Sequence, residues 1–200
     1  LAAVAQRLDE EAAPQQDRTL VLNPKAYWGV TVGISTVFVQ SVAEPGFKGF
    51  IPNIANFEIF LDQNIPTQQT GLLGGTPTVL GSGQTGSTLN TTGWSASITG
   101  LLNGGDVFTI GSVNAVNPES LASTGVLRNF VVTATANSSG TGASSLSIYP
   151  PIVTSGAYQT VTASPAAGAA ITVISGASGS NLTKNIAFTR DCFGLVTVPL

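Results

Sequence analysis

Short runs of alternating apolar and polar residues fill the middle of the chain. Alternation of this kind puts every second side chain on one face of the backbone, which is typical of half-buried β-strands. It predicts strands over residues 107–110, 130–135, 146–149, 158–162 and 171–174. Turn signals rich in glycine, asparagine and proline separate these runs, among them Asn117-Pro118 and Pro150-Pro151. The pattern favours a small antiparallel barrel or sandwich.

The two ends of the chain have a different, mixed pattern. The first thirteen residues predict a short helix, because their apolar residues share one face and Pro14 stops the helix. Strands are predicted over residues 18–22, 57–65, 185–188 and 195–198. The segment 27–39 stays open: alternation at Val30, Val32 and Ile34 favours a strand, whereas its length suits a helix.

Charge divides the chain into the same regions. Of its 17 charged residues, 11 lie in residues 1–62, three in residues 63–183 and three in residues 184–200. An inserted domain produces this order in a sequence: a charged block, an almost uncharged β block, and a second charged block that belongs with the first. The 18 uncharged residues 26–43 reach only the lower edge of a membrane-spanning length and include several polar residues, which favours burial in a soluble assembly.

Composition excludes several chemistries. The 200 residues contain no histidine and one cysteine, so a Ser-His-Asp or Cys-His nucleophile, an internal disulfide and a thiolate zinc or iron–sulfur site are ruled out. Seven Lys and Arg side chains cannot form the basic face that many phosphate contacts require. We therefore predict no catalytic residue, no metal, no cofactor and no specific binding of nucleic acid or membrane.

Four stretches of the sequence carry a resemblance to a known family. They are Thr19-Leu20-Val21-Leu22-Asn23-Pro24; Asp62-Gln63-Asn64-Ile65-Pro66-Thr67; Gly105-Asp106-Val107-Phe108-Thr109-Ile110 with Val116-Asn117-Pro118; and Asn185-Ile186-Ala187-Phe188 leading to Val196-Thr197-Val198-Pro199-Leu200. In this order they resemble the coat proteins of the Salmonella-type short-tailed phages, a branch of the tailed-phage major capsid family.

The resemblance implies an α+β fold, in which a mixed axial-type capsid domain of the Hong-Kong type carries an inserted antiparallel β-barrel or sandwich. The capsid domain would be discontinuous, residues 1–66 plus 184–200, and the insertion would be residues 67–183. It also implies that residues 27–39 are helical, and that the sequence is a fragment of a longer coat protein. Implied partners are other copies of the coat protein and, during assembly in the bacterial host cytoplasm, scaffolding and portal proteins.

Two motifs have a competing chemical interpretation. Gly81, Gly83 and Gly86 match the glycine spacing of a dinucleotide-binding fingerprint, but the residues that follow are β-branched and start no helix, so we predict a flexible loop. Asp106 is either part of a cation site or a turn residue that bonds its own backbone, and the absence of a nearby second acid favours the turn.

The remaining candidate residues have structural interpretations. Asp9, Glu10 and Glu11 are predicted to form a solvated helix end, since adjacent helical residues point in different directions. Arg190 and Asp191 are predicted on opposite faces of the returning strand. Cys192 is predicted to be a buried apolar side chain in the core. Trp28 and Trp94 are predicted to be anchors, either in the core or at subunit contacts.

These observations predict a structural subunit of an icosahedral bacteriophage or prophage capsid, located in the virion. The inserted barrel would act as an intramolecular brace. The alternative is a secreted or surface β-rich module, an adhesin or carbohydrate-binding domain, for which strands rich in Ser, Thr and Gly are equally typical. Exposed clustered aromatic residues would favour that alternative, and buried ones the capsid.

Overall fold

The structure is a computed structural model that describes residues 2–35, 54 and 56–194. The described residues are mostly β, with two α-helices. In chain order the elements are α1 (Ala2–Glu10), β1 (Arg18–Leu22), α2 (Pro24–Ser35), β2 (Phe57–Leu61), β3 (Thr67–Gln69), β4 (Gly75–Val79), β5 (Gly86–Trp94), β6 (Val107–Val116), β7 (Ser123–Val132), β8 (Ser144–Ile152), β9 (Ile171–Val173), β10 (Asn181–Thr183), β11 (Ile186–Thr189) and a 3-10 helix (Arg190–Cys192).

The chain divides into two compact units. The first, which we call the end unit, consists of Leu1–Pro66 together with Thr183–Leu200, and the second, the β unit, is Thr67–Leu182. The predicted strand at 195–198 and the last part of the predicted segment 27–39 lie outside the described residues.

The end unit is built on a three-stranded sheet of order β11-β1-β2. Strand β1 pairs parallel with β2 and antiparallel with β11. The buried cluster on one face of this sheet consists of Leu20, Leu22, Tyr27 and Phe57, with Ala5 and Leu8 of α1 and Ala26 and Val30 of α2 packed against it. Both helices therefore cover the same face of the sheet, which we call its inner face.

The segment left open by the sequence is helical over its described part. Asn23 caps α2, since its side chain accepts a hydrogen bond from the Ala26 N–H at 3.0 Å, and Pro24 takes the first helical position, where it needs no donor. Ala26, Tyr27 and Val30 then share one face and pack on the cluster. The cap and this face outweigh the β preference of the alternating valines.

The β unit contains a six-stranded antiparallel sheet of order β4-β5-β8-β7-β6-β9. Its two edge strands come together: the Val79 N–H donates to the Ala169 carbonyl at 3.0 Å, and the Gly168 N–H donates to the Val79 carbonyl at 2.9 Å. The sheet is therefore a nearly closed barrel. Its interior holds sixteen buried side chains, with the Phe108 and Phe130 rings stacked at 5.8 Å.

Two predictions within the β unit are wrong. Residues 158–162 form no strand; only Val161 makes an isolated bridge, to Ala115, because the Thr160 hydroxyl bonds backbone groups of Pro151 and Val153 and holds the segment as a loop. Pro150 and Pro151 lie inside β8 instead of in a turn. They fit there because the pairing of β8 with β5 shifts register between Gly86 and Thr88, where no ladder donor is needed.

Candidate functional site: a buried carboxylate in the β unit

The side chain of Asp106 is the charged group most fully enclosed by the β unit. It lies at the start of β6, in a turn in which its own N–H donates to the Asn103 carbonyl at 3.0 Å. The residue has no exposed surface. Because a buried carboxylate is costly unless its oxygens are bonded, its partners show what it does.

Both oxygens of Asp106 accept two hydrogen bonds. Oδ2 accepts from the backbone N–H groups of Asn103 at 2.8 Å and Gly71 at 2.9 Å. Oδ1 accepts from the Ser175 hydroxyl at 3.1 Å and from Nε2 of Gln68 at 3.2 Å. The carboxylate thus joins the turn before β6 to the segment around β3 and to the segment that follows β9.

Two glycines make this arrangement possible. A Cβ on Gly71 would overlap the backbone of Leu101 and Leu102, and a Cβ on Gly105 would meet the side-chain amide of Gln68. Gly105 also has φ of 93°, a conformation that L side chains rarely adopt. The backbone can approach the carboxylate only because neither position carries a side chain.

The first and last strands of the β unit run next to each other. Strands β3 and β10 form a two-stranded sheet. Hydrogen bonds at its two ends join the Thr70 N–H to the Ser180 carbonyl at 2.9 Å and the Lys184 N–H to the Pro66 carbonyl at 3.0 Å. Gln68 of β3 therefore connects this pair directly to Asp106.

The sequence predicted the local part of this site and missed the rest. The turn and the bond from Asn103 are as predicted for Asp106. Gln68, Gly71 and Ser175 lie 35 to 69 positions away, and no spacing pattern identifies them. The available signal was indirect: an acid inside a long, almost uncharged stretch is more readily explained by burial in a hydrogen-bonded network than by solvation.

The fingerprint-like glycine motif forms the hairpin between β4 and β5. Strand β5 begins at Gly86, so no helix follows the motif. The Gln84 side chain holds the turn, because it donates to the carbonyls of Leu80 and Asn90 and accepts from the Asn90 N–H at 2.7 Å. Trp94 is buried, as predicted for an anchor, and its Nε1 donates to the Thr91 hydroxyl at 2.8 Å. Trp28, in contrast, is exposed.

Asp9 and Glu10 bond different partners, as expected for adjacent helical residues, but they do not form the predicted solvated helix end, because each has an ion-pair partner. Glu10 accepts from Arg7 at 3.1 Å, and Asp9 accepts from Arg18 at 2.6 Å. The Arg18 guanidinium is buried, and it also donates to the carbonyls of Ala13 at 3.0 Å and Pro14 at 2.8 Å. Arg18 therefore fastens the end of α1 to the beginning of β1.

Two predictions for the last described residues are wrong. Strand β11 ends at Thr189, and Arg190 and Asp191 lie in a 3-10 helix and not in a strand. Cys192 is exposed and not in the core. The physical reason is the same for both: the chain leaves the sheet after Thr189, so the side chains that follow no longer alternate between two faces.

A cavity of about 420 Å³ opens on the end unit, where charged residues of both signs meet. Its lining includes Asp17, Arg18, Glu58, Phe188 and Arg190. Within residues 2–35, 54 and 56–194, no cluster of three or more His, Cys, Asp or Glu side chains has the arrangement of a metal site. Over the same residues, no helix has both the length and the apolar character needed to cross a membrane.

Comparison with known proteins gives one family. The family model described as P22 coat protein, gene protein 5, matches residues 52–200. A solved structure described as the CUS-3 coat protein I-domain is 28% identical; the match covers 50% of this chain and 96% of that one, with a TM-score of 0.36. No curated protein matches the sequence.

Proposed function

The chain belongs to the P22 coat protein family, and we propose that, within this capsid subunit, the β unit is an inserted domain that braces the part forming the shell. As a coat protein of this family, the chain is a structural subunit of a bacteriophage capsid, part of the virion, and assembles with other copies of the coat protein. The shell-forming part would be the mixed helix-and-sheet end unit.

The order of the strands supports the insertion. Strand β1 pairs with β2 on one side and with β11 on the other, although the whole β unit lies between β2 and β11 in sequence. An insertion of this kind adds least strain when its own first and last strands are neighbours, as β3 and β10 are. The resemblance of four separate stretches to the Salmonella-type phage coat proteins is consistent with this organisation.

The Asp106 network is the observation that carries the bracing role. Its four hydrogen bonds join the chain where it arrives in the β unit, at Gln68 and Gly71, to the chain where it is about to leave, at Ser175. Hydrogen bonds to a charged group contribute about 1.5–3 kcal/mol each. A folded barrel would therefore hold these two segments together and limit the motion of the strands that continue from them.

The absence of catalysis and the further partners are part of the same proposal. The subunit would be non-enzymatic, would meet scaffolding and portal proteins during assembly in the host cytoplasm, and would have no specific binding of nucleic acid and no membrane partner. The composition supports the point about nucleic acid, since seven Lys and Arg side chains against ten Asp and Glu leave no excess of cations for phosphate.

The inserted-domain proposal is tested by producing residues 67–183 alone. We expect a monomer that melts in one cooperative transition, because the barrel core and the Asp106 network lie within this segment. Circular dichroism during heating and sedimentation velocity provide the measurement. A disordered product would contradict the proposal, and a matched sample carrying Glu119→Gln, a change at an exposed acid of the same unit, should melt as the unmodified segment does.

A further inference from the structure

The end unit has exposed apolar residues on its helical side. Trp28 and Val32 of α2 are 52% and 63% exposed. They lie four residues apart, on the side of the helix opposite to the one that packs on the buried cluster. Lys25, three residues before Trp28, is exposed and continues the same line. We call Lys25, Trp28 and Val32 the α2 stripe: one cation followed by two apolar side chains.

The outer face of the end-unit sheet also has exposed apolar residues. Val21 pairs with Ile186 on one side and with Phe60 on the other, so these three residues form one row across the sheet. Because Leu20 and Ile59 belong to the inner face, the alternation of side chains puts this row on the outer face. Phe60 is 48% exposed and Ile186 is 50% exposed.

Charged residues lie beside this apolar row. The next row along the strands is Phe188, Thr19 and Glu58, about 7 Å away, the rise of two residues in a strand. It opens into the cavity that also includes Asp17, Arg18 and Arg190. Arg18 is already paired with Asp9. Two carboxylates and one guanidinium remain, so the lining of this cavity has an excess of negative charge beside the apolar row.

We propose that the α2 stripe of one copy of this chain binds the outer face of the end-unit sheet in a neighbouring copy. The inference rests on the proposed function, because a coat protein assembles with other copies. In this contact Trp28 and Val32 pack on Phe60 and Ile186. Lys25 of the same stripe lies near Glu58 and Asp17.

Several observations favour a second copy of the chain as the partner. A helix packed on a sheet is the layer arrangement that the end unit already uses on its inner face. The stripe has a cation where the sheet face has an excess of carboxylates, and both have an apolar centre with a polar edge, as protein interfaces do. Nucleic acid would instead need a cluster of cations, which the described residues of this face lack.

The geometry makes the contact head-to-tail. The stripe and the sheet face lie on opposite sides of one unit, so each copy can donate its stripe to one neighbour and accept the stripe of another. Contacts of this heterologous kind generate rings when the rotation between copies closes, and open chains when it does not. Rings of subunits are suitable building blocks for a closed shell.

The first experiment measures self-association of the full chain by sedimentation velocity over a range of concentrations. We expect the unmodified chain to associate, and Phe60→Lys, Ile186→Lys and Val32→Lys each to weaken association by about tenfold or more. Tyr158→Lys, a change at an exposed aromatic residue of the β unit, should leave association unchanged. Melting followed by circular dichroism establishes that each variant is folded, and Ile186→Thr replaces any lysine variant that is not.

Mixing the variants tests the head-to-tail geometry directly. Phe60→Lys blocks only the sheet face and Val32→Lys blocks only the stripe, so an equal mixture still contains one intact pair of surfaces. At a concentration at which each variant alone is mainly monomeric, the mixture should form dimers and nothing larger. Exchange of charge tests the orientation: Lys25→Glu should weaken association, and the double variant with Glu58→Lys should restore it.

Three results would overturn the inference. They are an unmodified chain that stays monomeric at every concentration, association that survives all changes on both surfaces, and a mixture of the two blocked variants that forms no dimer. If association survives all changes, copies of the chain meet through other surfaces and a different partner covers the sheet face. The function itself is judged separately, by the folding of residues 67–183, so either proposal can fail without the other.

Discussion

The two units of the chain differ in how they are stabilised. The β unit has a barrel core of sixteen buried side chains. It contains only three charged residues, and one of them, Asp106, is buried and fully hydrogen-bonded. The described residues of the end unit have a buried cluster of four, a buried arginine, and exposed apolar residues on both sides of a two-layer arrangement. The β unit is therefore stabilised mainly by its own core, whereas the described end unit has only a small one. Both units expose large apolar side chains, among them Leu72 and Tyr149 in the β unit and Trp28 and Phe60 in the end unit.

The largest effect should come from the barrel core. Phe108→Ala removes a fully buried ring that stacks on Phe130, and we expect the free energy of unfolding of the β unit to fall by about 4 kcal/mol. Denaturant titration of residues 67–183 measures the change. Tyr158→Ala, at an exposed ring of the same unit, should change the value by less than about 0.5 kcal/mol. Equal effects of the two changes would contradict the distinction between core and surface.

The next effect should come from the buried carboxylate. Asp106→Asn keeps the shape of the side chain but puts an NH2 group where an oxygen accepts two hydrogen bonds, so we expect a loss of about 3 kcal/mol. Native-state hydrogen exchange at the Gly71 amide should increase in the same variant. The matched change Glu119→Gln should alter neither quantity, and an unaffected Gly71 amide in Asp106→Asn would show that the network does not hold the arriving segment.

The smallest effect should come from the end unit. Arg18→Lys keeps the charge but loses the planar fork that bonds Asp9, Ala13 and Pro14, and we expect a loss of about 2 kcal/mol. Hydrogen exchange at amides of β1 in the full chain provides the measurement. Arg7→Lys, at a partly exposed pair within α1, should cost no more than about 0.5 kcal/mol. A similar effect of both changes would mean that Arg18 contributes only as a surface charge.

Local signals in the sequence identified some of the regular elements, although β3, β4, β5 and β10 were not predicted. The strand over 18–22 has the predicted bounds, and α1 ends before Pro14. The alternating runs at 107–110 and 146–149 lie within β6 and β8, although both strands are longer. In each case the apolar positions face a core, so the pattern in the sequence and the packing in the fold have the same cause.

The misses arise from features that alternation along the chain does not encode: a side chain that bonds the backbone, the end of a sheet, and contacts between distant residues. Tyr158 to Thr162 alternates like a strand, but the Thr160 side chain bonds nearby backbone groups and holds the segment as a loop. Cys192 has an apolar neighbour, Phe193, yet both are exposed because the sheet ends before them. The partners of Asp106 are brought together only by the barrel. Chain topology decides these outcomes, and a single sequence contains no local record of it.

The neighbouring positions of β3 and β10 have a practical consequence. Since the chain arrives and departs through two adjacent, hydrogen-bonded strands, the two points at which the β unit joins the rest of the chain lie side by side. A foreign domain whose own termini lie close together could be grafted there in place of the barrel. Each subunit would then carry one copy of the foreign domain.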